Sequence, residues 1–146
     1  MTNSSRYIGF MLGIALLVNG CAHFITRTGS EAALRDLVSK EWQAKTDKEW
    51  GTVYDLTSSK FRKSIKRDQF LRGCSLDVKG FTIANLKISP DKKRATVTVS
   101  FDIQQMGHLF KGMQLKETWL LEAGRWYLDM PVKTRSPFEK QLKMSD

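Results

Sequence analysis

Apolar positions along the chain change their period once, near Gly73. Before it they recur at helical spacing. Leu34, Leu37, Val38 and Trp42 stand at i, i+3, i+4 and i+8, which predicts a helix with one apolar face. Ser30 is placed to cap it, and Glu31 in its first turn complements the helix dipole. The stretch "TDKE" reads as a capping box from Thr46 to Glu49, opening a second helix on which Trp50, Val53 and Tyr54 repeat the spacing. Phe61, Ile65, Phe70 and Leu71 predict a third helical stretch that stops at Gly73. Beyond Gly73 the period is two. Strands are predicted over 81–89, 94–105, 112–122 and 126–130, with turns at "SPDKKR" and "AGR". The strand 94–105 alternates most cleanly, with Ala95, Val97, Val99, Phe101 and Ile103 on one side. Helices first and about four antiparallel strands second predict an α+β fold rather than βαβ units.

The first twenty residues follow another plan. "MTNSSR" is polar with one positive charge, "YIGFMLGIALLV" is apolar, and "NG" precedes Cys21. This is the layout of a secretory signal peptide, and the apolar run is short for a transmembrane helix. "LVNGC" resembles the lipobox of bacterial lipoproteins: Val18, Gly20 and Cys21 match, and Asn19 is a less usual occupant of the middle position. The resemblance implies a diacylglyceryl group on Cys21, cleavage before it, and acylation of the new amino terminus. Ala22 is not the aspartate that retains such proteins at the inner membrane, so the implied place is the outer membrane, facing the periplasm. Cleavage elsewhere, or an uncleaved anchor, is the alternative. A lipidated Cys21 excludes a Cys21–Cys74 disulfide and leaves Cys74 as a lone thiol, expected to be buried. Residues 21–29 form a tether; from Ala22 it reaches at most about 25–30 Å at the length of an extended residue.

Composition narrows the partners. Apolar residues make up 41% and charged residues 27%, ordinary for a folded domain. The formal net charge of +9 favours anionic partners: lipid headgroups, cell-wall polymers or nucleic acid. Export disfavours nucleic acid. Part of the charge sits in one run: Lys60, Arg62, Lys63, Lys66, Arg67 and Arg72 face only Asp68. With Phe61 and Ile65 on the other side, the run reads as a basic amphipathic segment suited to an anionic envelope surface, or as a solvated helix face. Two cysteines and two histidines show no metal-ligand spacing, and no phosphate loop or nucleophile motif is present, so no metal, cofactor or catalytic set is assigned.

The stretch 41–70, with its helix pair and aromatic–Asp–aromatic spacing, and the ending "ETWLLEAGRWYLDM", 117–130, resemble the nuclear transport factor two-like (cystatin-like) superfamily. The similarity covers about residues 30–131, leaving 132–146 as a tail. It implies a curved antiparallel sheet wrapped around a long helix, cone-shaped, with a cavity that is either open or filled. Some enzymes of that superfamily use an acid and a tyrosine in the cavity, which nominates Asp102, Tyr54 and Tyr127; Trp50, Tyr54 and Asp102 are the pocket candidates. Each also has a plain reading, as core aromatic or surface acid. The fold hosts enzymes and binding domains alike. The expected function is a lipid-anchored, non-enzymatic binding or assembly domain held to the membrane through Cys21, with an anionic surface or envelope protein as partner. The alternatives are a cavity enzyme, a carrier of a small apolar ligand, or a structural part of an envelope complex.

Overall fold

A computed structural model describes residues 29–132. Four helices come first: α1 (Glu31–Thr46), α2 (Trp50–Asp55), α3 (Ser59–Ser64) and α4 (Arg67–Gly73). Four strands follow: β1 (Val78–Ile88), β2 (Arg94–Gln105), β3 (His108–Glu122) and β4 (Arg125–Leu128). They form one antiparallel sheet in the order β1-β2-β3-β4, and the fold is α+β.

Local chemistry sets the start of α1. Ser30 caps α1, its Oγ accepting from the Ala33 N–H at 3.1 Å. Helix α1 then lays Leu34, Val38 and Trp42, all fully buried, against the sheet. Strand β2 buries Ala95, Val97, Val99, Phe101 and Ile103, the whole face that its alternation marks. Trp119 from β3 and Trp126 and Leu128 from β4 complete the core. Burying an aromatic ring removes a large apolar area from water, so these three tryptophans and Phe101 dominate the packing.

Two expectations from the spacing are corrected. Thr46 does not open α2. It is the last residue of α1, and its hydroxyl donates back to the Trp42 carbonyl at 3.0 Å. The cap position of α2 is Glu49, without a side-chain cap bond. The basic segment is not one helix either. Ile65 is extended, at φ −125° and ψ 121°, and splits it into α3 and α4. The Tyr54 hydroxyl donates to the Ile65 carbonyl at 2.8 Å, so a tertiary hydrogen bond holds the break.

Strand β3 is much longer than β4. Their pairing covers only Trp119–Glu122 against Arg125–Leu128, and the Asp129 N–H extends it by donating to the Thr118 carbonyl. Among the described residues, His108–Glu117 therefore has backbone partners on the β2 side only. Every residue from Gln104 to Lys116 is exposed, so the β2–β3 hairpin leaves the core as an arm. At the opposite end of β3, Gly29 adopts φ +82°, and a Cβ there would stand 3.3 Å from Leu121 Cδ1. Glycine is required by the backbone conformation, and the chain enters the domain against the β3–β4 turn.

Candidate functional site

Helix α1 does not end its buried stripe on apolar residues. Continuing from Leu34 and Val38 at steps of three and four brings Glu41 and Lys45 onto the same face. Period two on β3 turns Glu117 inward with Trp119. The two elements thus bring one lysine and two carboxyl groups together, at 0% exposure for Glu41, 6% for Lys45 and 5% for Glu117. The Lys45 ammonium is in close ionic contact with Glu41 Oε1 and lies 3.2 Å from Glu117 Oε1. It also sits 3.9 Å from the centre of the Trp42 ring, a cation–π contact. Glu117 accepts from both neighbouring indoles: Trp42 Nε1 at 3.1 Å and Trp119 Nε1 at 3.3 Å.

Two carboxyls share one ammonium, and the sharing is unequal. Glu117 has three donors. Glu41 meets Lys45 through Oε1, and neither of its oxygens accepts from an indole or a backbone N–H. Burial pushes the Glu41 carboxyl up to about 8, Lys45 opposes the rise, and the Glu117 charge adds to it. Near neutral pH Glu41 then keeps its proton.

The folded chain keeps that proton between the ordinary carboxyl value of 4.5 and about 8, whereas the unfolded chain releases it. Proton uptake is greater in the folded state there, so this group's contribution is fully present below 4.5, falls as pH rises and levels off above about 8. Urea midpoints measured across that range are expected to decline with rising pH in the parent and to stay level in Glu41→Gln. Parallel declines in both would place the titrating group elsewhere.

The cluster lies beside a cleft of about 710 Å³. Buried Lys45 and Glu117 form its floor. Leu115, Leu128, Met130 and Val132 supply apolar wall, and the exposed Lys60 and Lys116 stand at its rim. Glu41 is not part of the lining.

The residues singled out by sequence lie elsewhere. Tyr54 is buried, packed on Phe61 and Phe70 with ring centres 6.4 and 5.5 Å away, and its hydroxyl is spent on Ile65. Trp50 is half-buried on α2. Asp102 is half-buried on the outward face of β2, where Oδ1 accepts from the Gly112 N–H at 2.8 Å. None of the three lines the cleft. The Tyr127 ring centre is 5.2 Å from the Arg62 guanidinium and 5.5 Å from that of Arg125. Of the basic run, Arg62 donates to the carbonyls of Asp55, at 3.1 Å, and Thr57, and Arg67 stands 3.8 Å from Asp55 Oδ1. Lys60, Lys63 and Lys66 are exposed, with no ion pair among the described residues. Cys74 is half-buried rather than buried, and its thiol donates to the Phe70 carbonyl at 3.2 Å. Cys21 lies outside the described residues.

Among the described residues, no group of three or more His, Cys, Asp or Glu side chains is placed to hold a metal ion, and no helix is long and apolar enough to cross a membrane. No protein-family model and no curated protein matches the chain. Solved structures do. The solution structure of a SEC-C motif containing protein from Rhodopseudomonas palustris aligns with a TM-score of 0.57 at 16% identity, over 75% of this chain and 84% of that one. The crystal structure of a SEC-C motif containing protein from Psychrobacter arcticus aligns with a TM-score of 0.58 at 13% identity, over 78% and 75%. At such identities the likeness is one of fold.

Proposed function

We propose that the chain is a lipid-anchored envelope lipoprotein whose exported part is a non-enzymatic binding domain of the nuclear transport factor two-like kind. The "VNGC" junction behind a short apolar run supports the anchor at Cys21. The cleft supports binding. One observation favours it over catalysis: the buried charged groups at the cleft floor, Lys45 and Glu117, are engaged with each other and with indole donors, and the one carboxyl with a strongly raised value, Glu41, is sealed behind them. A general base must come within hydrogen-bond reach of the proton it removes, and Glu41 at 0% exposure does not. The apolar wall and lysine rim suit an apolar body with an anionic end.

Two measurements test this. Intact mass of protein extracted from membranes is expected to show the leader removed and an acyl-sized addition at Cys21; an unmodified Cys21, or a mature chain starting elsewhere, removes the anchor. A fluorescent fatty-acid analogue is expected to bind the parent and to bind Leu115→Trp, which fills the cleft mouth, at least several-fold more weakly. Equal binding by both would take the cleft out of the reading.

A further inference from the structure

The exposed arm carries a composition unlike the rest of the surface. Leu109, Phe110, Met113 and Leu115 are 50%, 46%, 44% and 43% exposed, and Met106 at the turn is 92% exposed. From Met106 to Lys116 there is no carboxylate, while Lys111 and Lys116 are both exposed. A cluster of this size is unusual on a surface that faces only water.

Register shows where these groups point. Phe110 pairs with Ile103, Met113 with Phe101 and Leu115 with Val99, so all three lie on the sheet face that elsewhere forms the core. Leu109 pairs with Gln104 and lies on the opposite face. The shift in register comes from the irregularity around Gly112, which has φ +65° and whose N–H is held by Asp102. Apolar side chains therefore leave both faces of the ribbon and its tip. A globular partner docked on one face would leave the other uncovered. A bilayer interface surrounds a hairpin tip on all sides, and lysines just behind the tip meet anionic headgroups. The free β3 edge limits the depth, because unpaired backbone groups are not carried into hydrocarbon.

We propose that the β2–β3 arm is a second membrane contact, inserting Met106, Leu109 and Phe110 into the interface of an anionic bilayer with Lys111 and Lys116 on its headgroups. The orientation it produces rests on the anchor reading. The tether enters beside Leu121 and Gly124, at the far end of β3 from the tip. Fifteen strand residues span about 45–50 Å, more than the about 25–30 Å that the tether reaches. An upright domain cannot hold both contacts. With both made, β3 is inclined to the membrane plane by roughly 30–40° at most.

The test uses the full chain purified from membranes, with Cys74→Ser and His108→Cys, the new thiol carrying an environment-sensitive fluorophore. The same chain without His108→Cys reports any labelling at Cys21. Flotation with phosphatidylcholine vesicles checks the anchor, and the fluorophore reads the arm. On vesicles containing phosphatidylglycerol, the emission is expected to shift to the blue and to be quenched by a lipid-phase quencher. Leu109→Asn with Phe110→Asn is expected to reduce the quenching several-fold, and Lys111→Gln with Lys116→Gln to weaken it about five-fold per lysine at low salt. Lys63→Gln with Lys66→Gln is expected to leave it unchanged. A chain that floats while its fluorophore stays water-like on anionic vesicles overturns the arm and leaves the anchor standing. A chain that fails to float on phosphatidylcholine removes the anchor. The arm is then supported if flotation on anionic vesicles is lost in the Leu109/Phe110 variant, and overturned if the parent does not float there either. A blue shift that grows with protein concentration without lipid assigns the arm to a second copy and overturns the proposal.

Discussion

Replacing Lys45 with methionine is expected to lower folding stability by about 3 kcal/mol, near the lower end of the cost of breaking a buried ion pair. The ammonium is the one positive group between Glu41 and Glu117, and it is 6% exposed. Without it Glu117 keeps its two indole donors, which softens the loss, but its charge is uncompensated among aromatic rings. The cation–π contact to Trp42 disappears as well. Glu41→Gln is expected to cost far less near neutral pH, because that carboxyl already holds its proton. The double variant Lys45→Met with Glu117→Gln should recover much of the loss, since it leaves no buried charge unpaired. Urea denaturation of the four chains decides the matter. A loss below about 1 kcal/mol for Lys45→Met would mean that the pair behaves like a solvated surface bridge.

Trp42→Ala is expected to be as damaging or worse, about 3–5 kcal/mol. The ring is fully buried and stacks near Phe101 and Phe81, with centres 4.7 and 6.1 Å away. Its Nε1 is a donor to Glu117, and its face carries Lys45. Alanine removes the packing and leaves a cavity next to the charge cluster. Trp42→Phe separates the parts: it keeps most of the packing and loses the donor, for a cost of about 1–3 kcal/mol, that of an unsatisfied buried group. If Trp42→Phe and Trp42→Ala lose the same amount, the hydrogen bond rather than the ring volume carries the effect.

Much of the fold was legible because the apolar pattern and the backbone agree. On β2, alternation over Ala95–Ile103 marks the buried face without exception, and at Ser30 a capping residue stands before a helical stripe. Legibility failed where tertiary bonds override local ones. Thr46 carries the chemistry of a cap, yet the stripe of α1 extends past it to Lys45 and draws the helix on. Ile65 fits a helical spacing with Phe61, yet Tyr54 takes its carbonyl and breaks the run. The expected strand begins at residue 112 and leaves out the first four residues of β3, because the irregularity near Gly112 changes the phase, so Leu109 and Phe110 do not alternate with Met113 and Leu115. The charge cluster was missed for a different reason. Glu41 and Lys45 lie on the apolar stripe, and Glu117 is in phase with Trp119, but a charged residue at such a position carries no apolar signal of its own burial. Phase alone contained that signal; the pairing across 72 residues that makes the burial tolerable did not appear in it.

The way β4 closes the molecule has a consequence for the order of folding. The Leu128 N–H donates to the Leu56 carbonyl, its own carbonyl accepts from Ser58, and Thr57 bridges to it in parallel. Trp126 and Leu128 then complete the core cluster that Leu34, Val38 and Trp42 of α1 begin. A chain emerging from its amino end, whether from a ribosome or through a membrane pore, has made α1 long before the residues that cover it. The hydrogen bond from Trp42 to Glu117 spans 75 positions. Contacts of such separation slow folding and prolong the exposure of apolar surface. Until Leu128 arrives, the helices and the first three strands lack the strand that locks them together, so an unfinished chain keeps its apolar surface exposed for longer.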